Sequence, residues 1–424
     1  METSRLDSPM MAAGRCPALG IEVALLTGGG DKHYALGLAT ALTSNGVLLD
    51  VIGSDDLDCP EFREPGMNFF NLRGDQETEV GVLKKIVRIL RYYAKLVAYV
   101  TTAKPKIFHI LWNNKFEWFD RTVLMLYYKA LGKKIVLTAH NVNRSRRDSK
   151  DSTLNRITLK TQYQLADYVF VHTEKMRTDL IREFDVDPDR VGVIPYGINN
   201  AVPNTELSPL EARQRLGIPA GQKTMLFFGN IAPYKGLEYL TSAFQQALSN
   251  RDDYLLIIAG WPKNCESYWG TIRQSIQEDV QEGRILLKAE YISDEETEVY
   301  FKAADVLVLP YRYIYQSGVL FLGYSFGLPV LAADVGSLKE DIDEGETGFV
   351  FKPDDSTDLA RVIDQYFASE LFANLGRRRK QIEEFAIRRH SWDIVGQLTL
   401  HVYSQLLRPA SSEDLPSHES SRLL

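Results

Sequence analysis

The chain has 424 residues, more than one typical hydrophobic core holds, so we expect two domains. Its 45% hydrophobic and 25% charged residues are typical of a globular protein and argue against a largely disordered chain. The cysteines Cys16, Cys59 and Cys265 show neither zinc-site nor disulfide spacing, which fits a reducing compartment. No signal-peptide pattern is present, and no apolar run approaches the roughly 20 residues of a membrane-spanning helix, so a soluble or peripheral protein is expected.

The net charge of -7 hides an uneven distribution. Residues 80–150 contain sixteen basic and three acidic residues, a local charge of 16 - 3 = +13. The remainder therefore carries -7 - 13 = -20. A basic segment inside an acidic protein indicates an anionic partner on one side of the molecule.

In chain order, short apolar runs alternate with longer helical stretches. A first strand is predicted at 21–26, then glycines and a helix at 34–44, then strands at 107–111, 135–138, 168–171 and 191–194. Residues 199–209 are polar and contain prolines, as a linker does. A second series has strands at 224–228, 255–259, 285–288, 306–309, 330–332 and 349–351. Strands that alternate with helices predict parallel α/β sheets.

This organisation predicts two doubly wound, Rossmann-like domains, at 20–200 and 201–390, that face a central cleft. Ligands of such sheets bind beyond the carboxyl ends of the strands. The helix at 391–407 is amphipathic, and either domain is open as its partner, including a crossing back to the N-terminal one. The ends of the chain, 1–19 and 408–424, are expected to be flexible tails.

Two sequence features of the N-terminal half are candidates for chemistry. Gly28, Gly29 and Gly30 follow the first strand, and such a turn lets backbone approach a ligand closely and directs helix N–H groups at it. A tight strand-to-helix turn is the alternative. His140 ends a strand and is expected to point into the cleft, where it donates to a ligand oxygen or shuttles a proton. A bond to a loop carbonyl is its structural alternative.

In the C-terminal half, residues 229–236 leave the first strand and enter a helix with the sequence Gly-Asn-Ile-Ala-Pro-Tyr-Lys-Gly. Lys235 lies where it can neutralise a diphosphate together with the positive end of the helix dipole, and Gly236 removes a side chain beside it. A solvated surface lysine is the alternative. It is the weaker one, because a cation is mildly unfavourable near a helix N-terminus.

A second phosphate-binding candidate opens the helix after the strand at 306–309. Gln316 precedes Ser317, Gly318 and Val319, whose free N–H groups are suited to hold a phosphate, whereas Ser317 alternatively caps the helix. A similar turn after the next strand contains Glu340, which either caps its own helix or faces a sugar or the nucleotide.

The basic segment contains a predicted helix with cations and apolar residues at helical spacing. The cations include Lys84, Arg88, Arg91 and Lys95, and the apolar residues are Ile86, Ile89, Leu90, Tyr92, Tyr93 and Leu96. Two interpretations stay open: a solvated basic face over a core stripe, and a helix that lies on anionic lipid.

Taken together, five stretches resemble the family 4 glycosyltransferases, which are retaining enzymes of GT-B fold. The stretches are 193–198 (Val-Ile-Pro-Tyr-Gly-Ile), 228–236, 303–310 (Ala-Ala-Asp-Val-Leu-Val-Leu-Pro), 327–332 (Gly-Leu-Pro-Val-Leu-Ala) and 345–350 (Gly-Glu-Thr-Gly-Phe-Val). The resemblance covers roughly 21–407 and is strongest over 224–355.

The resemblance implies a GT-B fold in which the second domain binds a nucleotide-diphosphate sugar and the first binds an acceptor hydroxyl. By likeness, Lys235 is the diphosphate lysine, the three glycines form the loop beneath the transferred sugar, and His140 lies near the sugar. The expected site has His140 and Lys235 as catalytic residues and the following donor-binding residues: Gly28, Gly29, Gly30, Gly229, Asn230, Gln316, Ser317, Gly318, Val319 and Glu340.

The sequence departs from the family at the leaving-group side of this site. Asn230 stands where the family usually has an arginine five positions before the lysine. The two usual glutamates fall on Ile314 and Leu322, with Gln316 nearest the first. The sequence resembles instead a subgroup with Gln-Ser-Gly at this loop, which implies altered ribose recognition or lost activity.

We therefore expect a retaining glycosyltransferase of cell-surface polysaccharide or glycolipid biosynthesis, cytoplasmic and peripheral on the inner face of the membrane. A lipid-linked hydroxyl acceptor and an anionic membrane surface are the candidate partners. No metal, no cofactor besides the nucleotide-sugar co-substrate and no nucleic acid are expected. Two alternatives are a non-catalytic GT-B sugar-nucleotide-binding or partner protein, and a GT-B epimerase or phosphorylase.

Overall fold

The computed structural model describes residues 20–77, 81–114, 116–143, 145, 151–198, 202–248, 251, 253–262 and 265–408. The predicted tail at 1–19, all but the first residue of the tail at 408–424, and residues 199–201 of the predicted linker lie outside this part.

The N-terminal half forms one parallel sheet of seven strands with the order β3-β2-β1-β4-β5-β6-β7. Its elements are β1 (Glu22–Leu26), α1 (Lys32–Ser44), β2 (Leu48–Gly53), β3 (Met67–Asn71), α2 (Val82–Thr102), β4 (Ile107–Ile110), α3 (Glu117–Phe119), a π-helical segment (Asp120–Leu124), α4 (Met125–Ala130), β5 (Lys134–Thr138), α5 (Thr153–Leu165), β6 (Tyr168–Val171), α6 (Glu174–Phe184) and β7 (Val191–Val193). The short turns Asp55–Leu57, Pro60–Arg63 and Pro188–Arg190 are 3₁₀ helices.

The C-terminal half repeats the plan with six parallel strands in the order β10-β9-β8-β11-β12-β13. Its elements are α7 (Pro209–Arg215), β8 (Lys223–Phe228), α8 (Leu237–Leu248), β9 (Tyr254–Ala259), α9 (Glu266–Ser275), α10 (Gln277–Gln281), β10 (Ile285–Lys288), α11 (Asp294–Ala303), β11 (Val306–Leu309), α12 (Gly318–Ser325), β12 (Val330–Ala333), β13 (Gly348–Phe351), α13 (Ser356–Phe367), α14 (Glu370–Ala373), α15 (Leu375–His390) and α16 (Trp392–Leu407). The turns Pro233–Lys235 and Leu338–Asp341 are 3₁₀ helices.

The predicted alternation of strands and helices is confirmed, and every predicted strand overlaps an observed one. Strands such as β9 and β11 are buried along their whole length, because helices cover both faces of a parallel sheet. Two strands, β2 and β3, were not among the predicted ones. The first contains Asp50, which is satisfied by Tyr99 and Asn68, and the second contains Asn68 and Asn71, so neither strand shows a continuous apolar run.

The last helix, α16, packs on the N-terminal domain although the chain has just left the C-terminal one. Val395, Val402 and Tyr403 belong to the core formed by α1 and one face of the first sheet. The Tyr403 hydroxyl lies 2.6 Å from Nδ1 of the buried His109 on β4. In addition, Trp392 Nε1 donates to the carbonyl oxygen of Ile198 at 2.8 Å.

Within the described part of the chain, no helix is both long enough and apolar enough to cross a membrane.

Candidate functional site

Two of the predicted site segments follow strands at the point where the strand order of each sheet reverses direction. In the first sheet this point lies between β1 and β4, and in the second between β8 and β11. The glycine loop follows β1, and residues 229–236 follow β8. The carboxyl ends of strands at such a point form a crevice for ligands, and here two crevices belong to adjacent domains.

The glycine loop is closely packed by protein groups. Gly28 and Gly29 have φ angles of 58° and 74°, which favour glycine. A Cβ atom on Gly28 would lie 2.0 Å from the Trp112 carbonyl oxygen, and one on Gly29 would lie 1.9 Å from Arg73 Nη1. Both strain and space therefore require glycine here, and contact of the loop with a bound sugar stays a prediction.

Asp31, directly after these glycines, was not singled out in the sequence. It is the N-cap of α1 and accepts a hydrogen bond from the Tyr34 N–H at 3.1 Å. An aspartate between a glycine turn and a helix is a typical capping signal that the sequence could have offered.

His140 stacks on Trp112, with ring centroids 4.3 Å apart, and meets the edge of Tyr34. Its Nδ1 lies 3.0 Å from Nε2 of His172, whose own Nδ1 lies 3.2 Å from the Ile194 carbonyl oxygen. Burial lowers the pKa of His172 to about 4 and holds that of His140 well below its usual value, so both rings are neutral at pH 7.

This chain of hydrogen bonds selects the tautomer of His140. Because a carbonyl oxygen only accepts, His172 donates from Nδ1 and accepts at Nε2. His140 must then donate from Nδ1 and keep a lone pair on Nε2, which has no hydrogen-bond partner among the described residues. In this tautomer Nε2 of His140 is an acceptor, suited to a ligand hydroxyl, rather than the expected donor to a ligand oxygen. The proton-shuttle role of His140 stays a prediction.

Lys235 is only 6% exposed, which excludes the alternative of a solvated surface lysine. It lies in the 3₁₀ turn that precedes α8, and its Nζ is 5.4 Å from the ring centroid of Tyr311. A Cβ atom on Gly229 would lie 3.2 Å from Nζ, and one on Gly236 would lie 2.0 Å from the Pro310 carbonyl oxygen. Two glycines thus let the segment fold against the exit of β11.

The segment before α12 forms the other wall. Ser317 is the N-cap of α12, but its side chain makes no capping bond, so the capping interpretation is wrong. Its buried hydroxyl lies 3.4 Å from the Tyr311 hydroxyl instead. The N-terminal N–H groups of α12, at Gly318 and Val319, open onto the same cavity that Lys235 lines.

Neither Glu340 nor its neighbour Asp341 lines the cleft cavities, but Asp341 contacts the wall through Gln316. Glu340 is exposed and lies outside the cavity linings, so it faces neither Lys235 nor α12. Asp341 is buried, and its Oδ2 accepts a hydrogen bond from Gln316 Nε2 at 3.4 Å. Burial raises the pKa of Asp341 to about 7, and the sequence analysis missed it because both residues share one 3₁₀ turn.

Two adjoining cavities fill the cleft. One, of about 460 Å³, is lined from both domains, with Asn230, Lys235, Gln316, Ser317, Gly318 and Val319 on the C-terminal side and Asp31, Tyr34, Tyr196 and Trp392 on the other. The second, of about 500 Å³, is lined by His140, Trp112, Asn113, Glu117, Arg121 and Gln162. Asp31, Asn230 and Tyr234 line both, so Lys235, the residues 316–319 and His140 border one continuous space. The other predicted donor residues line neither cavity: Gly28, Gly29, Gly30, Gly229 and Glu340.

Direct contacts hold the two domains together around this space. His33 Nε2 lies 3.3 Å from Asp294 Oδ2 across the cleft. On the other side, Tyr315 donates to Asp179 Oδ2 at 3.1 Å. The cleft therefore has a defined width.

The described residues contain no group of three or more His, Cys, Asp or Glu side chains that could hold a metal ion. Metal independence stays a prediction.

Comparison with known families matches each half of the chain to a different model. The model "Glycosyltransferase Family 4" matches residues 17–202, and the model "Glycosyl transferases group 1" matches residues 210–389.

Similar proteins include several named D-inositol 3-phosphate glycosyltransferase. That of Corynebacterium diphtheriae is 31% identical over 54% of this chain, which spans 56% of its length. That of Acidothermus cellulolyticus is 24% identical over 92% of this chain and 89% of its own. For the first relatives, such as that of Corynebacterium diphtheriae, this chain spans little more than half of their length.

Solved structures agree on the fold. A sucrose-phosphate synthase from Thermosynechococcus elongatus superposes with a TM-score of 0.72 at 21% identity, over 91% of this chain and 99% of its own. The Anabaena protein HepE in complex with UDP-glucose superposes with a TM-score of 0.69 at 17% identity, over 91% and 100%. The fold is therefore GT-B, and its two halves match the models of Glycosyltransferase Family 4 and of Glycosyl transferases group 1.

Proposed function

We propose that this protein is a retaining glycosyltransferase that moves a sugar from a nucleotide-diphosphate sugar to an acceptor hydroxyl. The observation that supports it most directly is the buried Lys235 in a cavity shared with the N-terminus of α12. A lysine ammonium and the start of a helix that line one cavity together suit an anion such as a diphosphate, which the cation attracts and the helix N–H groups can bind.

The donor side of the site suits a departing diphosphate. The acceptor oxygen bonds to the anomeric carbon as the bond from that carbon to the diphosphate breaks, and the hydroxyl proton passes to a leaving phosphate oxygen. Lys235 and the N–H groups at Gly318 and Val319 stabilise the charge that develops. Asn230 replaces a second cation, so Lys235 carries more of this task than in family members with arginine there.

The sugar is expected in the part of the cleft that His140 lines together with Asp31 and Asn230. The lone pair of His140 Nε2 accepts from a sugar hydroxyl and so fixes the ring near the bond that breaks. Retention of configuration follows from the resemblance to family 4. The contacts between the domains keep water from the donor, which limits its hydrolysis.

The acceptor is expected in the 500 Å³ cavity of the N-terminal domain. Its lining is polar: Asn113 and Gln162 bond to each other, and Arg121 pairs with Glu117 and with Asn155. These groups suit a polyhydroxylated acceptor. The names of the relatives, which mention inositol 3-phosphate, and of the solved HepE complex, which mentions UDP-glucose, support a polar acceptor and a UDP-sugar donor. We place the reaction in the cytoplasm, on the inner face of the membrane, in polysaccharide or glycolipid biosynthesis.

The test is a thermal-shift titration with nucleotide-diphosphate sugars and the matched nucleoside diphosphates. One nucleotide class is expected to stabilise the wild type, by an amount that grows with ligand concentration. Lys235→Met keeps the length and apolar packing of the chain but removes the charge, so the shift should fall strongly. Lys352→Met, at an exposed lysine of the same domain, is the matched control. An unchanged shift in Lys235→Met would refute the diphosphate role.

A non-catalytic donor-binding protein remains the second candidate, and Asn230 in place of arginine is the observation in its favour. Product analysis separates the two. Stabilisation by a donor without release of nucleoside diphosphate, with any acceptor offered, favours the second candidate. Isomerised donor or phosphorolysis products would instead indicate a GT-B epimerase or phosphorylase.

A further inference from the structure

A third cavity, of about 470 Å³, lies outside the cleft, between the loop after β3 and helix α2. Of the described residues that line it, one is an acid, Asp75, and five are cations: Arg73, Lys84, Arg88, Arg91 and Lys95. Such an excess of positive charge in a concave site attracts an anion.

Two guanidinium groups of this cavity, those of Arg73 and Arg88, have neutral hydrogen-bond partners among the described residues. Arg88 Nη1 donates to the Glu77 carbonyl oxygen at 3.2 Å, and Arg73 Nη2 lies 3.4 Å from Gln76 Oε1. Arg73 Nη1 is buried and has no hydrogen-bond partner among the described residues. A phosphate in the cavity would give the arginines that line it charge-assisted hydrogen bonds, which are stronger than those to neutral groups.

Beside the cavity, α2 exposes an apolar stripe. Val82, Ile86 and Leu90 are 73%, 49% and 64% exposed, and Leu83 and Val87 next to them are 75% and 47% exposed. Spacing of three and four residues places them on one side of the helix. The expected core stripe is therefore wrong for Ile86 and Leu90, because α2 packs on the domain through Tyr92, Leu96 and Val100 instead.

The helical segment formed by α3, the π-helical turn and α4 lies next to α2 and adds further exposed apolar residues. It touches α2 through the rings of Tyr93 and Phe119, 5.2 Å apart, and through the hydroxyls of Thr101 and Tyr127, 2.8 Å apart. Trp118 and Leu126 of that segment are both 54% exposed. A water-exposed surface of this kind, bordered by cations, is typical of a protein that lies in a membrane interface.

We propose that this cavity binds the phosphate of an anionic phospholipid while the exposed residues of α2 enter the apolar layer below it. The apolar stripe favours a lipid over a free phosphate ester, because only a lipid layer buries the exposed apolar side chains. The proposal rests on the proposed function only for its membrane setting. Because Arg73 Nη1 also abuts Gly29, an occupied cavity adjoins the glycine loop and presents the cleft to an acceptor held in the same membrane.

The test is co-sedimentation of the full chain with vesicles of phosphatidylcholine alone or with phosphatidylglycerol added. Wild type should bind only the anionic vesicles. Arg88→Gln with Arg91→Gln should weaken this binding at least tenfold. Lys104→Gln with Lys106→Gln removes the same charge from exposed lysines beyond the other end of α2, about 24 Å from Arg88 at 1.5 Å per residue, and should weaken it less than threefold.

Three results would overturn the proposal: no binding of wild type to anionic vesicles, equal loss in the two double variants, or unchanged binding in Leu83→Ser with Leu90→Ser. Protection by glycerol 3-phosphate that depends on Arg88 and Arg91, without vesicle binding, would assign the cavity to a free phosphate instead. The thermal shift with nucleotide-sugar donors distinguishes a failure of the lipid site from a failure of the proposed function. It should persist in all these variants, so its loss in wild type counts against the proposed function and leaves the lipid site standing.

Discussion

At the scale of single residues, the partner of a side chain decides its chemistry. His140 was singled out because it ends a strand, but its role depends on His172, which is 32 positions away in the chain and reaches it across the ends of β5 and β6. His172 is a positioning residue: it fixes the tautomer of His140 without lining the cleft cavities.

Replacement of His172 by Phe removes the acceptor for His140 Nδ1, so the His140 ring can adopt either tautomer. A hydrogen bond of this kind contributes about 1 kcal/mol, so we expect kcat/KM to fall about three- to tenfold. Histidine ¹⁵N spectra should show one neutral tautomer of His140 in wild type and two in the variant.

His172→Gln serves as the conservative control, because its amide oxygen can still accept from Nδ1. It should recover part of the lost rate and the single tautomer. Equal rates in wild type and His172→Phe, or two tautomers already in wild type, would contradict the positioning role.

Asp341 gives a pH-dependent prediction. Its pKa is raised to about 7 by burial, so the folded state holds its proton at pH values where the unfolded chain, with a pKa near 3.9, has released it. The carboxyl therefore lowers stability as pH rises from about 4 to about 7. Asp341→Asn removes this effect while it keeps the shape.

The stability of Asp341→Asn relative to wild type should thus increase between pH 5 and pH 7, by at most about 1.4 kcal/mol per pH unit. Urea unfolding of both proteins at several pH values measures it. The comparison with the variant is needed because His390, with Nε2 3.8 Å from Asp341 Oδ1 and a pKa lowered to about 4, titrates with the opposite effect. A difference that is constant with pH would contradict the prediction.

At the scale of elements, the approach of α16 to α1 depends on small residues. A Cβ atom on Gly37 of α1 would lie 2.1 Å from Trp392, and one on Gly396 would lie 3.0 Å from Ala41. Glycine in a helix costs about 1 kcal/mol relative to alanine, so its presence here reflects packing rather than helix preference.

Gly37→Ala should therefore lower the melting temperature, because an overpacked contact costs about 1–3 kcal/mol and outweighs the gain in helix propensity. Gly270→Ala in α9 is the matched control: nothing lies within 4 Å of its Cβ position, so it should stabilise by about 0.5–1 kcal/mol. Differential scanning calorimetry compares the two, and a shift of the same sign in both would contradict the packing argument.

At the scale of the molecule, the last helix makes the stability of the first domain depend on the far end of the chain. A chain that ends at His390 loses Val395, Val402 and Tyr403 from the N-terminal core. Each such side chain contributes about 1.5–3 kcal/mol, and the sum is comparable to the stability of a domain. We expect hydrogen exchange to accelerate in β1 and α1 before it does in β8 and β9.

Tyr403→Phe provides the graded control. It removes only the hydroxyl beside His109 and leaves a buried nitrogen without that partner, at a cost of about 1–3 kcal/mol. Unaltered protection of β1 and α1 in the shortened chain would show that α16 does not support the first domain.

Features that depend on local pattern are readable from the amino-acid sequence. Apolar runs between helical stretches predicted two parallel α/β units, because burial on both faces of a sheet demands such runs. The glycines after β1 predicted a tight turn, and Lys235 stood out because a cation near the start of a helix is unfavourable unless it binds an anion there.

Contacts between groups that are distant in the chain follow from the folded structure instead. It buried Asp341 rather than Glu340, joined His172 to His140, and turned Ile86 and Leu90 outward while Leu96 went inward. The pattern of α2 is amphipathic on more than one side, so periodicity alone cannot select the buried one. The side that is buried depends on the loop and helices that pack beside α2. These are distant from it in the chain, so the local sequence does not show them.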